Sequence, residues 1–334
     1  MIVIRPFTEE WREPVREFNR RLNSSEFVFP DQAGPERFLA VEDGAVRGAY
    51  MARPQRFLIS GREVEVAHYR LPVSEGMVNR GYAGVGGQML RYACRQYPLL
   101  YALGMGGFDR PLPKMLAAAG WSLHAAAFYV KALRPFRVFR NIRRRRGLMN
   151  LAAFTGIGWL GVRVFERRIR NAVEVEVAPA FGEWADAVWE ESGRQYGCVA
   201  RRDAQTLNEL YPPQSRFHRV KVGRAGWAVA LDTNMTGDRY FGNLRLGSIV
   251  DCLAPPREAG LVIRAATKFL EDRGVDLIVS NQLHAAWSKA LADAGFWRGP
   301  SNFIFAASRK LAELARDPAE IHINRGDGDG PIHL

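Results

Sequence analysis

The sequence predicts a mixed α+β (α/β) chain of two similar halves in tandem, each a central, mostly antiparallel sheet flanked by helices. Three observations carry this. The hydrophobic pattern switches repeatedly between alternation and a 3.6-residue period, and the order of these stretches in the first half returns in the second. The 334 residues are also about twice the roughly 150 of an ordinary domain. A 47% hydrophobic content suffices for buried cores and excludes a disordered or fibrous chain.

The first half opens with a short strand at Ile2 to Pro6 and an amphipathic helix from about Glu9 to Leu22. Two alternating stretches then read as hairpins: Phe38 to Met51, turning at Glu42-Asp43-Gly44, and Arg56 to Val73, turning at Ser60-Gly61. A glycine-rich turn leads into a helix with apolar Met89, Leu90, Ala93 and Cys94. A strand (Leu99 to Leu103), a helix (about Leu112 to Ala119) and a strand (about Leu123 to Leu133) follow. The second half repeats the order. It begins with VEVEVAPA, a helix (about Phe181 to Ser192) and alternating stretches near Phe217 to Leu231 and Arg239 to Leu253. It ends with a helix (about Glu258 to Asp272), a strand (Val275 to Ser280), a helix (about Ala285 to Ala294) and a strand (Phe303 to Ala307). Sliding the chain by 175 residues sets Ala102–Trp121 over Leu277–Phe296 with five of 20 positions identical, which together with the shared order reads as a tandem duplication. The expected domains are 1–133 and 173–315, joined by a basic and apolar connector at 134–172 and followed by a flexible polar tail at 316–334. In the tail, Asn324-Arg325-Gly326-Asp327-Gly328-Asp329 lacks the length and closing Glu of a calcium loop.

The formal charge is +12, but eleven arginines against the single acid Glu166 between Arg134 and Arg170 supply +10 of it. Neither domain is therefore a basic body, and no zinc finger, helix-turn-helix or RNA-binding signature appears, so nucleic acid is not expected as a partner. The arginines bracket an uncharged run, Gly147 to Val162, whose 16 residues would extend about 24 Å as a helix, short of a hydrocarbon core of roughly 30 Å. Two readings stay open: a connector packed between domains, or attachment to an anionic membrane surface through Phe154, Trp159 and Leu160. The three cysteines form no disulfide framework and no metal-ligand spacing, so no metal is expected. With an N-terminus unlike a secretory signal, the expected location is cytoplasmic, peripheral on the inner face of the membrane if the connector binds lipid.

Leu71 to Leu90, LPVSEGMVNRGYAGVGGQML, carries the most chemistry. A strand ends, and a turn with Gly81, Gly84, Gly86 and Gly87 opens a helix. Glycines let a backbone approach a ligand, and helix N-terminal N–H groups suit a pyrophosphate. The spacing is neither a dinucleotide-binding G-x-G-x-x-G nor a P-loop, which needs Gly-Lys-Ser/Thr. At this turn the chain resembles the GCN5-related N-acetyltransferase (GNAT) superfamily, whose Gln/Arg-x-x-Gly-x-Gly/Ala signature cradles the pyrophosphate of acetyl-CoA. Tyr82, Ala83, Gly84, Val85 and Gly86 supply x-x-Gly-x-Gly, while Gly81 holds the Gln/Arg place and Arg80 stands one position earlier. LPKMLAAAGW is similar to the family's second conserved region. The resemblance implies two tandem GNAT-like folds, with acetyl-CoA or another acyl-CoA as co-substrate bound by Arg80 to Gly87. The second half offers Pro255, Pro256 and one glycine, Gly260, at the matching place, so one cofactor site is expected.

Acyl transfer to an amine needs a neutral nucleophile, a stabilised oxyanion and a proton for the leaving thiolate. The resemblance implies a backbone donor near Val73 for the thioester oxygen and a tyrosine as general acid, but the tyrosine position is Leu116, and its counterpart in the second half is Leu291. Candidate bases near the strand are His68 and Glu75, with Glu65 behind them. Tyr69 and Tyr82 are substitutes for the acid, and Asp251 is a candidate acceptor contact. The expected function is acyl transfer from acyl-CoA, or from an acyl-carrier protein, to an amine or hydroxyl on a small-molecule or lipid-linked acceptor. The alternatives are a non-catalytic acyl-CoA-binding or scaffold protein and a FemABX-like aminoacyl transferase.

Overall fold

In a computed structural model the described residues are 1–23, 28–142, 174–238 and 240–328. They form two compact units, neither of them continuous in sequence. Unit 1 comprises 1–56, 64–123 and 305–314, and unit 2 comprises 57–63, 124–304 and 315–334.

Unit 1 contains β1 (Val3–Phe7), α1 (Arg12–Leu22), β2 (Gly34–Glu42), most of β3 (Ala45–Ile59) and β4 (Arg62–Ser74), α2 (Val85–Gln96), β5 (Leu100–Met105) and α3 (Pro111–Ala118). In α1, Val15, Phe18 and Leu22 recur at helical spacing and are buried, and left-handed Asn23 ends the helix. The β2–β3 turn has left-handed Asp43 and Gly44 (φ 48° and 75°), and Ser60 and Gly61 repeat this at the β3–β4 turn (48° and 76°). Such two-residue turns match the strands' right-handed twist. One difference from the expectation is that β3 runs unbroken through Pro54, joining the inner strands of the two expected hairpins.

The strand expected at Leu123 to Leu133 divides in two. β6 (Ser122–Ala125) belongs to the first sheet, in the order β1-β2-β3-β4-β5-β15-β6, where β15 is Phe303–Ala307. After Ala126, β7 (Ala127–Ala132) enters the second sheet. In unit 1, Leu100 and Ser308 bond in both directions, Ser308 N–H to Leu100 O (2.9 Å) and Leu100 N–H to Ser308 Oγ (3.1 Å). Residues 305–314, including α9 (Arg309–Leu314), therefore close the edge that the expected domain 1–133 would leave open. Alternation identifies a strand but not its partner, and so the boundary at 133 misplaces both β7 and β15.

Unit 2 holds the sheet β14-β7-β13-β12-β11-β10-β8. Its strands are β8 (Val175–Ala178), β10 (His218–Val222), β11 (Gly226–Asn234), β12 (Arg245–Leu253), β13 (Leu277–Gln282) and β14 (Trp297–Gly299). It also contains α4 (Pro135–Ile142), α5 (Glu183–Ser192), α6 (Ala204–Leu210), α7 (Ala259–Asp272) and α8 (Ala285–Asp293). In α7, Val262, Ile263, Ala266 and Leu270 form the buried stripe of a core helix. Residues 134–142, expected in the connector, are largely this unit's α4, while the rest of the expected connector, including Gly147 to Val162, lies outside the described residues. Nor is 316–328 a flexible tail. β16 (Ile321–His322) pairs with β9 (Cys198–Ala200), and Ile321, His322, Ile323, Asn324 and Asp327 are all buried.

Candidate functional site

In unit 1, β4 carries the site and changes face partway along. Ala67 and Tyr69 pack with Tyr50, Val85 and Met89, on the side covered by α2. Leu71 and Val73 pack instead with Leu39, Val46 and Val15, on the side covered by α1. In a regular strand all four odd-numbered residues would share one face; the switch occurs at Leu71, a left-handed residue (φ 43°) that bends the strand. The even positions are switched with them. Ser74 Oγ comes within 3.9 Å of where a Cβ on Gly86 would stand, at the start of α2.

Parallel pairing of β4 with β5 runs through Ala67↔Leu100 and His68↔Tyr101, whereas β4 continues to Ser74 and β5 to Met105. β5 ends in four successive left-handed residues, Gly104, Met105, Gly106 and Gly107 (φ 91°, 68°, 75° and 121°). Three of the four are glycine, as that backbone requires. LGMGGF matches no phosphate-binding spacing, so this second glycine run carries no such signal in the sequence.

Between β4 and α2 the chain makes two short 3₁₀ turns, Glu75–Met77 and Arg80–Tyr82. Glu75 anchors them. Its carboxylate accepts from Arg47 Nη1 at 3.1 and 3.0 Å and from Arg21 Nη2 at 3.4 Å, and its carbonyl accepts from the Val78 and Asn79 N–H groups. The Arg47 guanidinium lies 4.4 Å from the Tyr82 ring centre. Glu75 is thus buried and held by two cations, and its oxygens orient the turn.

α2 begins at Gly84 with no side chain capping it. The leading N–H groups of a helix have no carbonyl one turn earlier, so they point outward unpaired. A Cβ on Gly84 or Gly87 would meet nothing within 4 Å, and one on Gly86 would meet Met115 Sδ at 3.4 Å and Ser74 Oγ at 3.9 Å. Gly84 and Gly87 thus border open space. Gly81 N–H donates to Asn79 Oδ1 (3.0 Å), and Arg80 is exposed beside it. Gly76 has a different requirement: a Cβ there would fall 2.6 Å from the Tyr82 carbonyl. This glycine permits the turn itself.

The other expected site residues fare differently. Val73 is fully buried, two residues beyond the bend at Leu71. His68 is buried on β4 and stacks on Tyr101 (4.4 Å between ring centres), whose hydroxyl accepts from Gln55 Nε2 at 2.9 Å. Burial, reinforced by Arg70 and Arg53, pushes its imidazole well below its ordinary value. Tyr69 is buried and its hydroxyl has no hydrogen-bond partner among the described residues, and Leu116 is a core residue of the same side.

Asp251, expected to touch the acceptor, is fully buried within unit 2. It pairs with Arg202 Nε (3.0 Å) and accepts from Tyr211 Oη (2.8 Å) and Asn324 Nδ2 (2.8 Å), while Arg202 Nη2 reaches Asp327 Oδ1 at 2.7 Å. Its acceptor role is therefore corrected to a structural one. The last parallel pair of β12 with β13 is Ile249↔Ser280, and beyond it the chain's own 321–327 segment lies between them. Leu283 N–H donates to Ile323 O, Gln282 bridges Asn324, and Arg325 Nε donates to Asn281 Oδ1 (2.8 Å). A Cβ on Gly326 would fall 2.6 Å from Asp251 Oδ2 and closer still to the Tyr211 hydroxyl. Glycine is obligatory there. Among the described residues, no group of three His, Cys, Asp or Glu is placed to hold a metal ion, and no helix is long and apolar enough to cross a membrane.

No family model and no curated protein matches the sequence. Solved structures match the fold. A GCN5-related N-acetyltransferase from Anabaena variabilis has a TM-score of 0.56 at 10% identity, covering 92% of this chain and 72% of that one. The N-myristoyltransferase of Saccharomyces cerevisiae with bound myristoyl-CoA has a TM-score of 0.53 at 9% identity, covering 92% and 82%.

Proposed function

We propose that this chain, whose fold is the GNAT fold, is an acyltransferase that binds acetyl-CoA or a longer acyl-CoA in unit 1 and passes the acyl group to an amine or hydroxyl acceptor. The observation that carries the reading is the start of α2, an uncapped helix N-terminus with Gly84 and Gly87 open to space. Its unpaired N–H groups suit an anionic pyrophosphate, and Arg80 adds a cation beside it. The divergence of β4 and β5 beyond His68 and Tyr101 leaves unpaired strand backbone along which the donor's amide-bearing arm can lie. The neighbours' names, an N-acetyltransferase and an N-myristoyltransferase with myristoyl-CoA, support the donor class.

In the reaction, the acceptor's lone pair attacks the thioester carbon, and the oxyanion collapses with loss of thiolate. A backbone N–H near Val73 is the proposed oxyanion donor. His68 is a buried ring that desolvation, Arg70 and Arg53 hold well below its ordinary value, which opposes its taking a proton, and Glu75 is already committed to two arginines. We therefore assign neither residue the role of base, have the acceptor attack as its free amine, and assign Glu75 the role of positioning the turn. Calorimetry with CoA tests the site. Wild type should bind one CoA per chain, and Gly84→Asp, which sets a carboxylate against the pyrophosphate, should abolish binding while the thermal midpoint without ligand is kept. Equal affinity in the folded variant would remove the reading.

A second reading, an acyl-CoA-binding protein without transferase activity, is favoured by Leu116, which fills the place of the family's acid with a core side chain. Thiol release from acetyl-CoA in the presence of an amine panel separates the two.

A further inference from the structure

A guanidinium drawn out of water carries several N–H donors and a charge, and both need compensation from a counter-charge or a shell of acceptors. Arg202 and Arg219, buried in unit 2, meet that need. Arg202 is shared by Asp251 and Asp327. Arg219 donates to the carbonyls of Tyr211 (2.7 Å), Phe217 (3.2 Å) and Pro212. Arg325 differs from both. Among the described residues its one hydrogen bond runs from Nε to Asn281 Oδ1 at 2.8 Å, and no carboxylate pairs with it. Burial, with nothing to offset it, pulls its pKa down to about 10.

The side chain is nonetheless held in place. Asn324 donates through Nδ2 to Asp251 (2.8 Å) and accepts from Gly326 N–H (2.9 Å), while Asp327 accepts from Asn324 N–H (2.9 Å) and pairs with Arg202, so the backbone is tied on both sides of Arg325. Asn281, buried on β13, donates its amide N–H to Ala126 O at 3.4 Å, which turns its oxygen toward Arg325 Nε. With Nε engaged, the two Nη groups form the unbonded edge, and because Arg325 is only half-buried that edge stays within reach of solvent. A planar pair of Nη donors matches two oxygens of a carboxylate or a phosphate. We propose that Arg325 anchors an anion site in unit 2, binding a carboxylate or phosphate group of a small ligand through Nη1 and Nη2. A purely structural role is opposed by its surroundings: a cation without a counter-charge costs the fold stability, and the segment is already secured by Asn324 and Asp327. The inference does not depend on the acyltransferase reading, since no residue is shared with the proposed donor site.

Thermal midpoints of the full chain and of Arg325→Gln test it, measured in sodium phosphate, sodium acetate and sodium chloride at matched ionic strength. Arg325→Gln keeps a donor for Asn281 and removes the charge, so its midpoint in chloride should equal or exceed that of wild type. Replacing chloride by phosphate or acetate at about 50 mM should raise the wild-type midpoint by about 2–4 °C more than that of the variant. This difference cancels general salt effects and any binding at the start of α2, which the two proteins share. A difference with one anion alone identifies which oxyanion the site takes. An equal rise in both proteins with both anions, no rise in wild type, or a chloride midpoint several degrees lower in Arg325→Gln would each overturn the proposal.

Discussion

Three histidines are buried as neutral rings. Burial holds His68 and His322 well below the ordinary value and pushes His284 down to about 4. In the unfolded chain each titrates near 6.5, so below that pH the unfolded state binds protons that the native state refuses. Their contribution to stability is complete above about pH 6.5 and falls as the pH drops from there, by up to about 1.4 kcal/mol per pH unit for each ring. Urea midpoints at descending pH should show this loss, and His322→Leu should flatten it; a midpoint unchanged down to about pH 5 would contradict the neutral burial. Arg202 presents the opposite case, a buried cation shared by Asp251 and Asp327. Arg202→Met leaves both carboxylates uncompensated and should cost about 3–5 kcal/mol, read as a lower denaturant midpoint. Sequence reading singled out Asp251 but not these partners, because Arg202 lies 49 residues before it and 125 before Asp327. No local window holds all three.

Elements were more legible than their details. The six expected helices and most expected strands appear within a few residues of their expected spans, since alternation and 3.6-residue periodicity are local signals, whereas the short helices α4, α6 and α9 were not expected. The left-handed Leu71 has no such signal. It is a β-strand residue in an apolar stretch, and its φ of 43° follows from what packs on either side of β4. The glycines of the 81–87 turn were visible, but the role of Glu75 depends on Arg21 and Arg47, which are 54 and 28 residues away. At this scale Glu75→Gln is informative: it removes the charge that draws both arginines onto the turn. The expected result is CoA affinity weakened about tenfold, in line with about 1.5 kcal/mol for a charged hydrogen bond, with an unchanged pH profile of turnover. A flattened pH profile with intact CoA affinity would restore Glu75 as the base.

The two units share an order of elements but differ in what stands at their diverging strands. In unit 1 the diverging strands are followed by an open glycine turn, whereas in unit 2 they hold the chain's own 321–327 segment. Gly260→Asp, at the start of α7, should therefore leave CoA affinity unchanged, and a second stoichiometric CoA would refute the one-site reading. The repeated order was legible, but the exchange of β7 and β15 was not, because it reverses partners without altering either strand's pattern. Expression of 1–133 alone should give an insoluble product, since that fragment lacks 305–314 and includes residues that belong to unit 2. The same exchange sets a schedule for synthesis. Unit 1 has emitted nearly all of its chain by residue 123 but cannot complete its sheet until residues 305–314 leave the ribosome. At about 5–20 residues per second, the edge of β5 waits unpaired for roughly ten to forty seconds. The nascent chain thus presents a bare strand throughout translation of its second half, and there a chaperone or a pause would act.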